Sequence, residues 1–276
     1  MLNYDQIDRV IKLSFEEDMP FGDITTENII SEESCSSARF IAKETGILAG
    51  MPVVERTFAL LDPRVKLEIL CPDGTEVHPG DIIAHISGPT GAILKGERTA
   101  LNLLQRLSGV ATRTHGLAKR IEDLPTRVVD TRKTTPGLRY LEKYAVRVGG
   151  GQNHRFSLSD GVLIKDNHIA AAGGIKPAVA AVRGKIPHTI RIEVEVESIE
   201  MAKEALEAGA DIIMLDNMAE PQMAEAVALI AGRALTEASG DIDEARIRKV
   251  AETGVDIISV GRITHSVKSL DISLKF

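Results

Sequence analysis

Apolar residues recur along this chain at helical spacing in some segments and at strand spacing in others. Near the start, one face of a predicted helix over residues 5–18 carries Ile7, Val10, Ile11 and Phe15. Between residues 37 and 87 short alternating stretches such as VKLEI predominate, and PDGTEVHPGD supplies turns. This segment therefore predicts a small, mainly β unit with a helix around Val53–Leu61.

The second half of the chain alternates strand-like and helix-like segments. A helical pattern over 97–107 comes first. Six strand-like runs, most of them rich in Val and Ile, recur after Pro125, namely RVVDT, GVLIK, IRIEVEV, DIIMLD, ALTEAS and VDIISVG. Helical segments rich in Ala and Glu lie between the later runs, as in repeated βα units with a parallel sheet. Six strands favour a barrel over a doubly wound sheet, and no G-x-G-x-x-G motif follows a strand. The change in pattern places a domain boundary near residue 108.

Polar residues stand where these strands end, and in a βα barrel that edge holds the active site. Cationic ends come first along the chain and acidic ends follow, which suits a polyanionic ligand bridged by a metal. The residues concerned are Thr131, Arg132, Lys133, Lys165, Asp166, Asn167, His168, Glu195, Asp216, Asn217, Ser239, Gly240 and Gly261.

Charge is distributed unevenly between this region and the rest of the chain. The whole sequence carries a net charge of −7, whereas 127–168 holds eight lysines and arginines against four aspartates and glutamates. Cations at the ends of buried strands are costly unless something anionic meets them. The basic stretch therefore predicts a small ligand with several negative charges.

Glu193 and Glu195 lie two residues apart in RIEVEV and so share one face of a strand. In a barrel that face points inward, where carboxylates are unfavourable unless they meet lysines, hydroxyls or a hydrated Mg²⁺. A structural ion pair with a barrel lysine is expected for Glu193, and a ligand contact for Glu195, which is nearer the strand end.

Small residues and histidines add weaker signals. Ser239-Gly240 and Gly261 follow the last two strands, where backbone N–H groups often bind phosphate. The glycines at 149–151 predict a flexible link, because no strand precedes them. His154 and His168 have no partner at zinc-ligand spacing, and each is open between an anion contact and a structural hydrogen bond.

Composition excludes several classes of function. The negative net charge, 3% aromatic residues and absence of Trp argue against nucleic-acid binding. No run approaches eighteen apolar residues, so no membrane span is expected. The start lacks a signal-peptide pattern, which favours the cytoplasm. Cys35 and Cys71 are expected to be buried thiols rather than a disulfide or a metal site.

The central segments resemble quinolinate phosphoribosyltransferase, the carboxylating nicotinate-nucleotide pyrophosphorylase family. The matching segments are DTRKTTPGLRYLEKYAV, GGGQNHRFSLSDGVLIKDNHI, EVEV, MLDN, EASG and THS, and GDITT and GERTALNLLQRLSGVAT extend the likeness over essentially the whole chain. The resemblance implies an N-terminal α/β sandwich domain at 1–107, completed by the tail 266–276. It also implies an open seven-stranded α/β barrel at 108–265.

The same resemblance implies an enzyme that, with Mg²⁺, joins quinolinate to phosphoribosyl pyrophosphate. The products are nicotinate mononucleotide for NAD synthesis, pyrophosphate and carbon dioxide. It further implies at least a homodimer, with a hexamer as a further option.

The resemblance also implies roles for individual residues. Lys133, Lys165, Glu195 and Asp216 would be catalytic, and the last two would also hold Mg²⁺ directly or through water. Quinolinate would be held by Arg132, His154 and Arg155, with Arg98 donated across the dimer interface. Further substrate contacts would come from Thr131, His168, Ser239, Gly240, Val260 and Gly261.

Two positions depart from the family pattern. Asp241 stands where the family often has Gly or Asn, beside the expected phosphate, which a carboxylate would repel. Arg262 stands where a smaller or apolar residue is usual. The family's phosphate contact is therefore not carried over to Asp241, whose carboxylate would have to point away. Arg262 could add phosphate affinity or face solvent, and we expect it to face solvent.

Three other interpretations remain open at this point. A related phosphoribosyltransferase could use another aromatic acid, such as nicotinate, or could be the molybdate-operon homologue. GTEVHPGDIIAHISG is similar to biotinyl or lipoyl carrier domains, although Lys95 enters a helix instead of a hairpin. A Schiff-base aldolase would use Lys133 or Lys165 as its nucleophile, but it leaves the surplus of arginines unexplained.

Overall fold

The structure is a computed structural model that describes residues 3–276, so the first two residues of the predicted N-terminal domain lie outside it. The chain forms two compact units. The first contains residues up to His115, residues 135–150 and the tail 266–276, and the second contains residues 116–134 and 151–265.

The described residues form helices and strands in alternation. The helices are α1 (Tyr4–Asp18), α2 (Ile24–Ile29), α3 (Met51–Leu61), α4 (Thr90–Lys119), α5 (Arg139–Val148), α6 (Asp166–Ala172), α7 (Ile175–Arg183), α8 (Ile199–Glu207), α9 (Glu220–Ile230), α10 (Ile247–Ala251) and α11 (Arg262–His265). The strands are β1 (Cys35–Ala42), β2 (Gly46–Ile47), β3 (Lys66–Ile69), β4 (Glu76–Val77), β5 (Ile82–Pro89), β6 (Arg127–Val129), β7 (Val162–Ile164), β8 (Ile192–Val196), β9 (Ile212–Asp216), β10 (Leu235–Ser239), β11 (Ile257–Ser259) and β12 (Ile272–Lys275).

The first unit is built on a four-stranded antiparallel sheet in the order β12-β1-β5-β3. The tail strand β12 pairs with β1, so the last residues of the chain complete this sheet. Phe40 and Phe58 are buried and meet edge to face, with ring centroids 6.4 Å apart. Leu270, Ile272 and Leu274 of the tail pack into the same core. The predicted helices at 5–18 and 53–61 are confirmed.

The second unit is a parallel six-stranded sheet in the order β6-β11-β10-β9-β8-β7. The first of these strands along the chain pairs with the last, as expected when a sheet curls towards a barrel. The α/β class is confirmed, but six strands form the ladder rather than the expected seven. The seventh position is a single parallel bridge between Val129 and Gln152. Among the described residues no ladder joins Gln152 to β7.

Several sequence expectations need correction. The helix predicted at 97–107 is part of the thirty-residue α4. The glycines at 149–151 are more than a flexible link, because Gly149 is buried and a Cβ there would lie 2.4 Å from the Ala111 carbonyl oxygen. Cys35 is exposed rather than buried, although both cysteines are free thiols.

The helices bear on two expectations from the sequence, the alternative of a carrier domain and the absence of a membrane span. Lys95 lies inside α4, where its ammonium donates to Glu27 at 2.7 Å, so it does not present the exposed hairpin lysine of a carrier domain. No described helix is both long enough and apolar enough to cross a membrane.

Candidate active site

A cavity of about 740 Å³ opens at the carboxyl ends of the parallel strands in the second unit. That volume lies within the range of small-molecule sites, roughly 300–1,000 Å³. Twelve of the fourteen predicted site residues line it, namely Thr131, Arg132, Lys133, His154, Arg155, Lys165, Glu195, Asp216, Ser239, Gly240, Val260 and Gly261. The remaining wall is formed by Leu163, Met214, Asn217, Glu237, Asp241, Ile242, Ser259, Arg262 and His265.

The end of β6 is fixed by hydrogen bonds of its own residues. Thr131 Oγ1 accepts the backbone N–H of Lys133 at 3.0 Å, and the Lys133 carbonyl accepts the Thr264 hydroxyl at 2.8 Å. The side chains of Arg132 and Lys133 are exposed at the cavity. The backbone is therefore held in place, and the two cationic side chains lie at the cavity, where a ligand can reach them.

Arg132 also affects Arg155 on the same side of the cavity. Burial, and then the positive charge of Arg132, lower the pKa of the Arg155 guanidinium. Arg155 donates to the Gly161 carbonyl at 2.7 Å, and the negative charges of Glu193 and Asp160 offset part of the lowering of its pKa. An anionic ligand near both guanidiniums would offset the repulsion between Arg132 and Arg155 further.

Lys165 and Glu195 form an ion pair between the ends of β7 and β8. The side chain of Lys165 is 46% exposed and that of Glu195 is 12% exposed. Because the pair lies at a partly open cavity, the two side chains can separate when a ligand binds. Lys165 could then contact an anionic group, and Glu195 could contact a cation or a hydroxyl group.

Asp130 holds the Asn153-His154 segment against the end of β6. It is completely buried, and its carboxylate accepts the Asn153 side-chain amide at 2.6 Å and the His154 backbone N–H at 2.9 Å. Sequence reasoning missed this role. The available signal was an acid directly after a buried strand within an otherwise basic stretch.

Both ring nitrogens of His154 are engaged. Nδ1 accepts the backbone N–H of Arg155 at 2.8 Å, so the ring proton of the neutral form lies on Nε2. Nε2 is 3.2 Å from a Glu193 carboxylate oxygen and 3.6 Å from Glu237. The expected partner of Glu193, a barrel lysine, was therefore wrong, and a histidine takes that place.

His154, Glu193 and Glu237 are close enough together to be considered as a metal site. A metal on Nε2 would need the ring proton on Nδ1, where a backbone donor already points. The hydrogen bonding therefore favours a protonated Nε2 that donates to Glu193, and it disfavours a metal.

Glu237 is the most perturbed acid of this cluster. Burial raises the pKa of Glu237 to about 8, and the negative charge of Glu193 adds to the shift. At neutral pH the Glu237 carboxyl is therefore mostly protonated. Sequence reasoning missed Glu237, although it alternates with Ser239 in LTEAS just as Glu193 alternates with Glu195.

The loops after β9 and β10 approach each other closely. The backbone N–H of Asn217 donates to the Ser239 carbonyl at 3.0 Å. Gly240 has φ +97°, and a Cβ there would lie 2.2 Å from Asn217 Oδ1. Only glycine fits this approach, which brings the backbone of both loops to the cavity wall.

Arg246 braces the same two loops. Its guanidinium donates to the carbonyls of Gly240 at 3.0 Å and Met218 at 2.8 Å, and to Glu220 at 2.7 Å. These bonds leave the arginine with a structural role, which sequence reasoning had not identified because nothing in its local pattern marks it.

Arg262 does not simply face solvent. It lines the cavity and donates to Asp241 at 2.7 Å, so the two residues that depart from the family pattern are paired with each other.

Two predicted residues do not line the cavity. His168 is exposed and its Nδ1 accepts the backbone N–H of Lys165 at 3.0 Å, which caps the start of α6. Arg98 is exposed on α4 in the first unit. Three further cations of the basic stretch lie on α5 in the first unit, namely Arg139, Lys143 and Arg147.

Comparison with known proteins gives consistent matches over the whole chain. The family model for the quinolinate phosphoribosyl transferase N-terminal domain matches residues 23–108, and the model for the C-terminal domain matches residues 110–275. A probable nicotinate-nucleotide pyrophosphorylase (carboxylating) of Bacillus subtilis is 47% identical over 99% of this chain and 94% of its own length.

More distant relatives and solved structures agree. The mitochondrial quinolinate phosphoribosyltransferase (decarboxylating) 2b of Nicotiana tabacum is 43% identical over 96% of this chain and 81% of its own length. The crystal structure of NadC from Streptococcus pyogenes superposes with a TM-score of 0.96 at 45% identity, covering 100% of this chain and 98% of that one. This chain belongs to the quinolinate phosphoribosyl transferase family.

Proposed function

We propose that this enzyme transfers the phosphoribosyl group of phosphoribosyl pyrophosphate to the ring nitrogen of quinolinate. The products are nicotinate mononucleotide, pyrophosphate and carbon dioxide, a step of de novo NAD synthesis. The observation that carries the proposal is the pair Arg132 and Arg155 at one side of the cavity, where burial and the positive charge of Arg132 lower the pKa of Arg155 and a dianionic ligand would be stabilised by both guanidiniums.

Quinolinate fits this side of the cavity because it carries two carboxylates. Arginine binds carboxylates with parallel N–H donors, so Arg132 and Arg155 can each hold one carboxylate. His154 has both nitrogens engaged, with Nε2 directed at Glu193. It would support the pyridine ring and position Arg155, whose backbone N–H it accepts, instead of supplying a free ring donor.

Phosphoribosyl pyrophosphate fits the other side. The backbone near Ser239-Gly240 and Val260-Gly261 reaches the cavity wall without large side chains in the way, as a 5′-phosphate requires. Lys133 and Lys165 would neutralise the pyrophosphate, and Glu195 would accept the ribose hydroxyls once Lys165 turns to the phosphates. The lysines thus stabilise the charge that develops on the leaving group.

Glu195 and Asp216 suit a magnesium ion shared with the substrate. They are oxygen donors at the ends of the adjacent strands β8 and β9, and Mg²⁺ in phosphate-handling sites is often held by one or two carboxylates plus phosphate oxygens. When bound, Mg²⁺ would lower the charge of the departing pyrophosphate.

The reaction needs no nucleophilic side chain. As pyrophosphate leaves, positive charge develops at C1 of the ribose. The pyridine nitrogen of quinolinate, which Arg132 and Arg155 hold in place, then attacks C1. The ring then becomes cationic, so the electron pair left on the ring carbon when carbon dioxide departs is stabilised by the adjacent positive nitrogen. A proton from water then binds to that carbon and completes nicotinate mononucleotide. The protein positions two polyanions and neutralises them, and that arrangement supplies most of the acceleration.

The direct test compares two acceptors. Purified enzyme with phosphoribosyl pyrophosphate and Mg²⁺ is given either quinolinate or nicotinate, and nicotinate mononucleotide is quantified by chromatography. We expect turnover with quinolinate and little with nicotinate, because one guanidinium would lack its carboxylate. Faster turnover with nicotinate would favour the alternative of a related transferase for another aromatic acid.

We further propose that the enzyme acts as at least a homodimer in which Arg98 is donated to the site of the other subunit. Arg98 is exposed and does not line the cavity of its own chain. The first unit also exposes large apolar side chains, with Phe21 96%, Ile24 77% and Ile29 73% exposed, as at an interface.

Mixing two inactive variants tests this sharing. If Arg98 crosses between subunits, a hybrid of Arg98→Ala and Arg132→Ala subunits contains one intact site. We expect activity to reappear after the two variants are unfolded and refolded together. Failure of the refolded mixture to regain activity, with each variant shown to be dimeric, would contradict a shared site.

A further inference from the structure

Asp241 and Arg262 are two charged side chains at the cavity wall that the proposed chemistry does not yet use. They follow Gly240 and Gly261, the small residues assigned to the 5′-phosphate. The Arg262 guanidinium donates through Nη2 to Asp241 Oδ1 at 2.7 Å. The side chains are 47% and 79% exposed, so each can still be reached by a ligand.

The backbone at Asp241 is unusual. Its φ is +49°, in the left-handed region, and it directly follows Gly240 at +97°. Aspartate tolerates this conformation better than most residues, but glycine or asparagine would do so without adding a negative charge. The chain thus places a carboxylate beside an expected phosphate, which would weaken binding unless a cation compensates for it.

Arg262 supplies that compensation and has further donors. Among the described residues its only hydrogen bond is the one from Nη2 to Asp241, whereas a guanidinium has five N–H donors in a planar fork. A guanidinium can therefore hold a carboxylate on one side and a phosphate on the other. A purely solvated surface pair would give the same contact to Asp241 but would not bind the substrate.

We propose that Arg262 binds the 5′-phosphate of phosphoribosyl pyrophosphate and that Asp241 positions its guanidinium at the cavity wall. This inference rests on the proposed function, because it assigns a ligand to the phosphate end of that same site. Arg262 is then a specificity-determining contact for the phosphorylated substrate, and Asp241 is a positioning residue that acts through it.

The phosphate lies away from the reacting C1, so its contacts stabilise the ground state and the transition state equally. Arg262→Ala should therefore raise KM for phosphoribosyl pyrophosphate about tenfold and leave kcat within about twofold. KM for quinolinate should not change. Arg262→Lys should recover only part of the affinity, because an ammonium cannot hold both partners in a planar fork.

Changing Asp241 distinguishes a ligand from a mere counter-ion. Asp241→Ala alone removes the repulsion between the carboxylate and the phosphate, but it also removes the hydrogen bond that positions Arg262. These effects oppose each other, so KM for phosphoribosyl pyrophosphate should change by less than about threefold. In the Arg262→Ala background the same change removes an uncompensated carboxylate, and KM should fall. The double variant should nevertheless remain above wild type, because the phosphate contact is still missing.

Arg183→Ala is the matched control. Arg183 is 43% exposed, is paired with the single carboxylate of Asp211 at 2.9 Å, and lies outside the cavity. The Arg183→Ala substitution removes one positive charge from the same unit as Arg262→Ala, so an effect of net charge alone would appear in both variants. We expect its kinetic constants to match wild type.

Isothermal titration calorimetry with phosphoribosyl pyrophosphate, in the absence of any acceptor, separates this inference from the proposed reaction. Weaker binding by Arg262→Ala but not by Arg183→Ala supports it. Equal binding by Arg262→Ala and wild type, or a double variant fully restored to wild type, overturns it. A wild type that binds this ligand but does not consume quinolinate would contradict the proposed acceptor and leave the inference standing, whereas a wild type that does not bind it overturns both.

Discussion

Glu193 and Glu195 lie two residues apart on the same face of β8, yet their surroundings differ sharply. Glu193 belongs to a buried layer with His154 and Glu237, the lower layer, and its side chain is only 5% exposed. Glu195 belongs to a layer nearer the strand end, the upper layer, where it pairs with the half-exposed Lys165. A shift of two residues along the strand therefore separates a carboxylate with structural partners from one that can contact a ligand.

The difference has a physical cause. A buried charge is costly without a partner, so Glu193 depends on the His154 imidazole that faces it. A charge at the strand end remains solvated and can exchange its partner at small cost. Mutations in the lower layer should therefore act mainly on stability, and mutations of the charged side chains in the upper layer should act mainly on activity.

Lys165→Ala should give the largest effect in the upper layer. It removes the cation proposed to stabilise the leaving pyrophosphate, so kcat/KM should fall by about 10³-fold or more. The free energy of unfolding should change by less than about 1 kcal/mol, since Lys165 is half exposed at the cavity and water can take its place beside Glu195. Steady-state kinetics and urea denaturation measure the two quantities. A strongly destabilised Lys165→Ala would erase the distinction between the layers.

His154→Ala should show the lower layer's dependence on internal partners. It leaves the buried Glu193 without its imidazole, which should cost about 3 kcal/mol of unfolding free energy. Urea denaturation of the variant and of Lys165→Ala under the same conditions tests the contrast. Equal stability of the two variants would contradict it.

Gly240→Ala tests whether the upper layer also depends on backbone geometry. The new Cβ would lie 2.2 Å from Asn217 Oδ1, and φ is +97°, so the loops must separate. We expect a loss of about 2 kcal/mol of stability and a raised KM for phosphoribosyl pyrophosphate.

Gly209→Ala is its control, because Gly209 also has positive φ, at +79°, but its Cβ would meet nothing within 4 Å. It should show the smaller cost of the backbone conformation alone, with unchanged KM. If the two variants behaved alike, close approach of the loops would not be the reason for glycine at 240.

Glu237→Gln should give the smallest effect, a pH-dependent difference in Tm that reports the protonation of Glu237 in the lower layer. Because the pKa of Glu237 is raised from 4.5 to about 8 in the folded protein, the folded state binds a proton that the unfolded state releases. This group's contribution to stability is therefore complete below about pH 4.5 and is lost as pH rises towards 8. The variant lacks that loss, so its Tm relative to wild type should increase between pH 5 and pH 8. A constant difference would show that Glu237 titrates normally.

The strand ends were predictable from sequence because position along a βα unit decides which residues share an edge. Lys165, Glu195, Asp216 and Ser239 each lie at or near the end of a strand-like segment, and the structure brings all four to one cavity. The helical face of α1 was predictable for the same reason, since its apolar residues repeat at helical spacing.

The missed features depend on contacts between distant segments. Glu193 meets His154 rather than a lysine, and Arg246 reaches carbonyls on two loops, which spacing along the chain does not reveal. The pairing of Asp241 with Arg262 likewise joins residues twenty-one positions apart. The seventh strand was expected from resemblance, and in this chain it is reduced to the single bridge of Gln152.

The most direct test of the central claim follows the carboxylate next to the ring nitrogen. Quinolinate labelled in that group is incubated with phosphoribosyl pyrophosphate and Mg²⁺, and labelled carbon dioxide is measured for wild type and Arg132→Ala. We predict one carbon dioxide per nicotinate mononucleotide for wild type, and a loss of at least about 10²-fold in rate for the variant. No release by folded wild-type enzyme, or equal release by the variant, would contradict the assignment of this cavity.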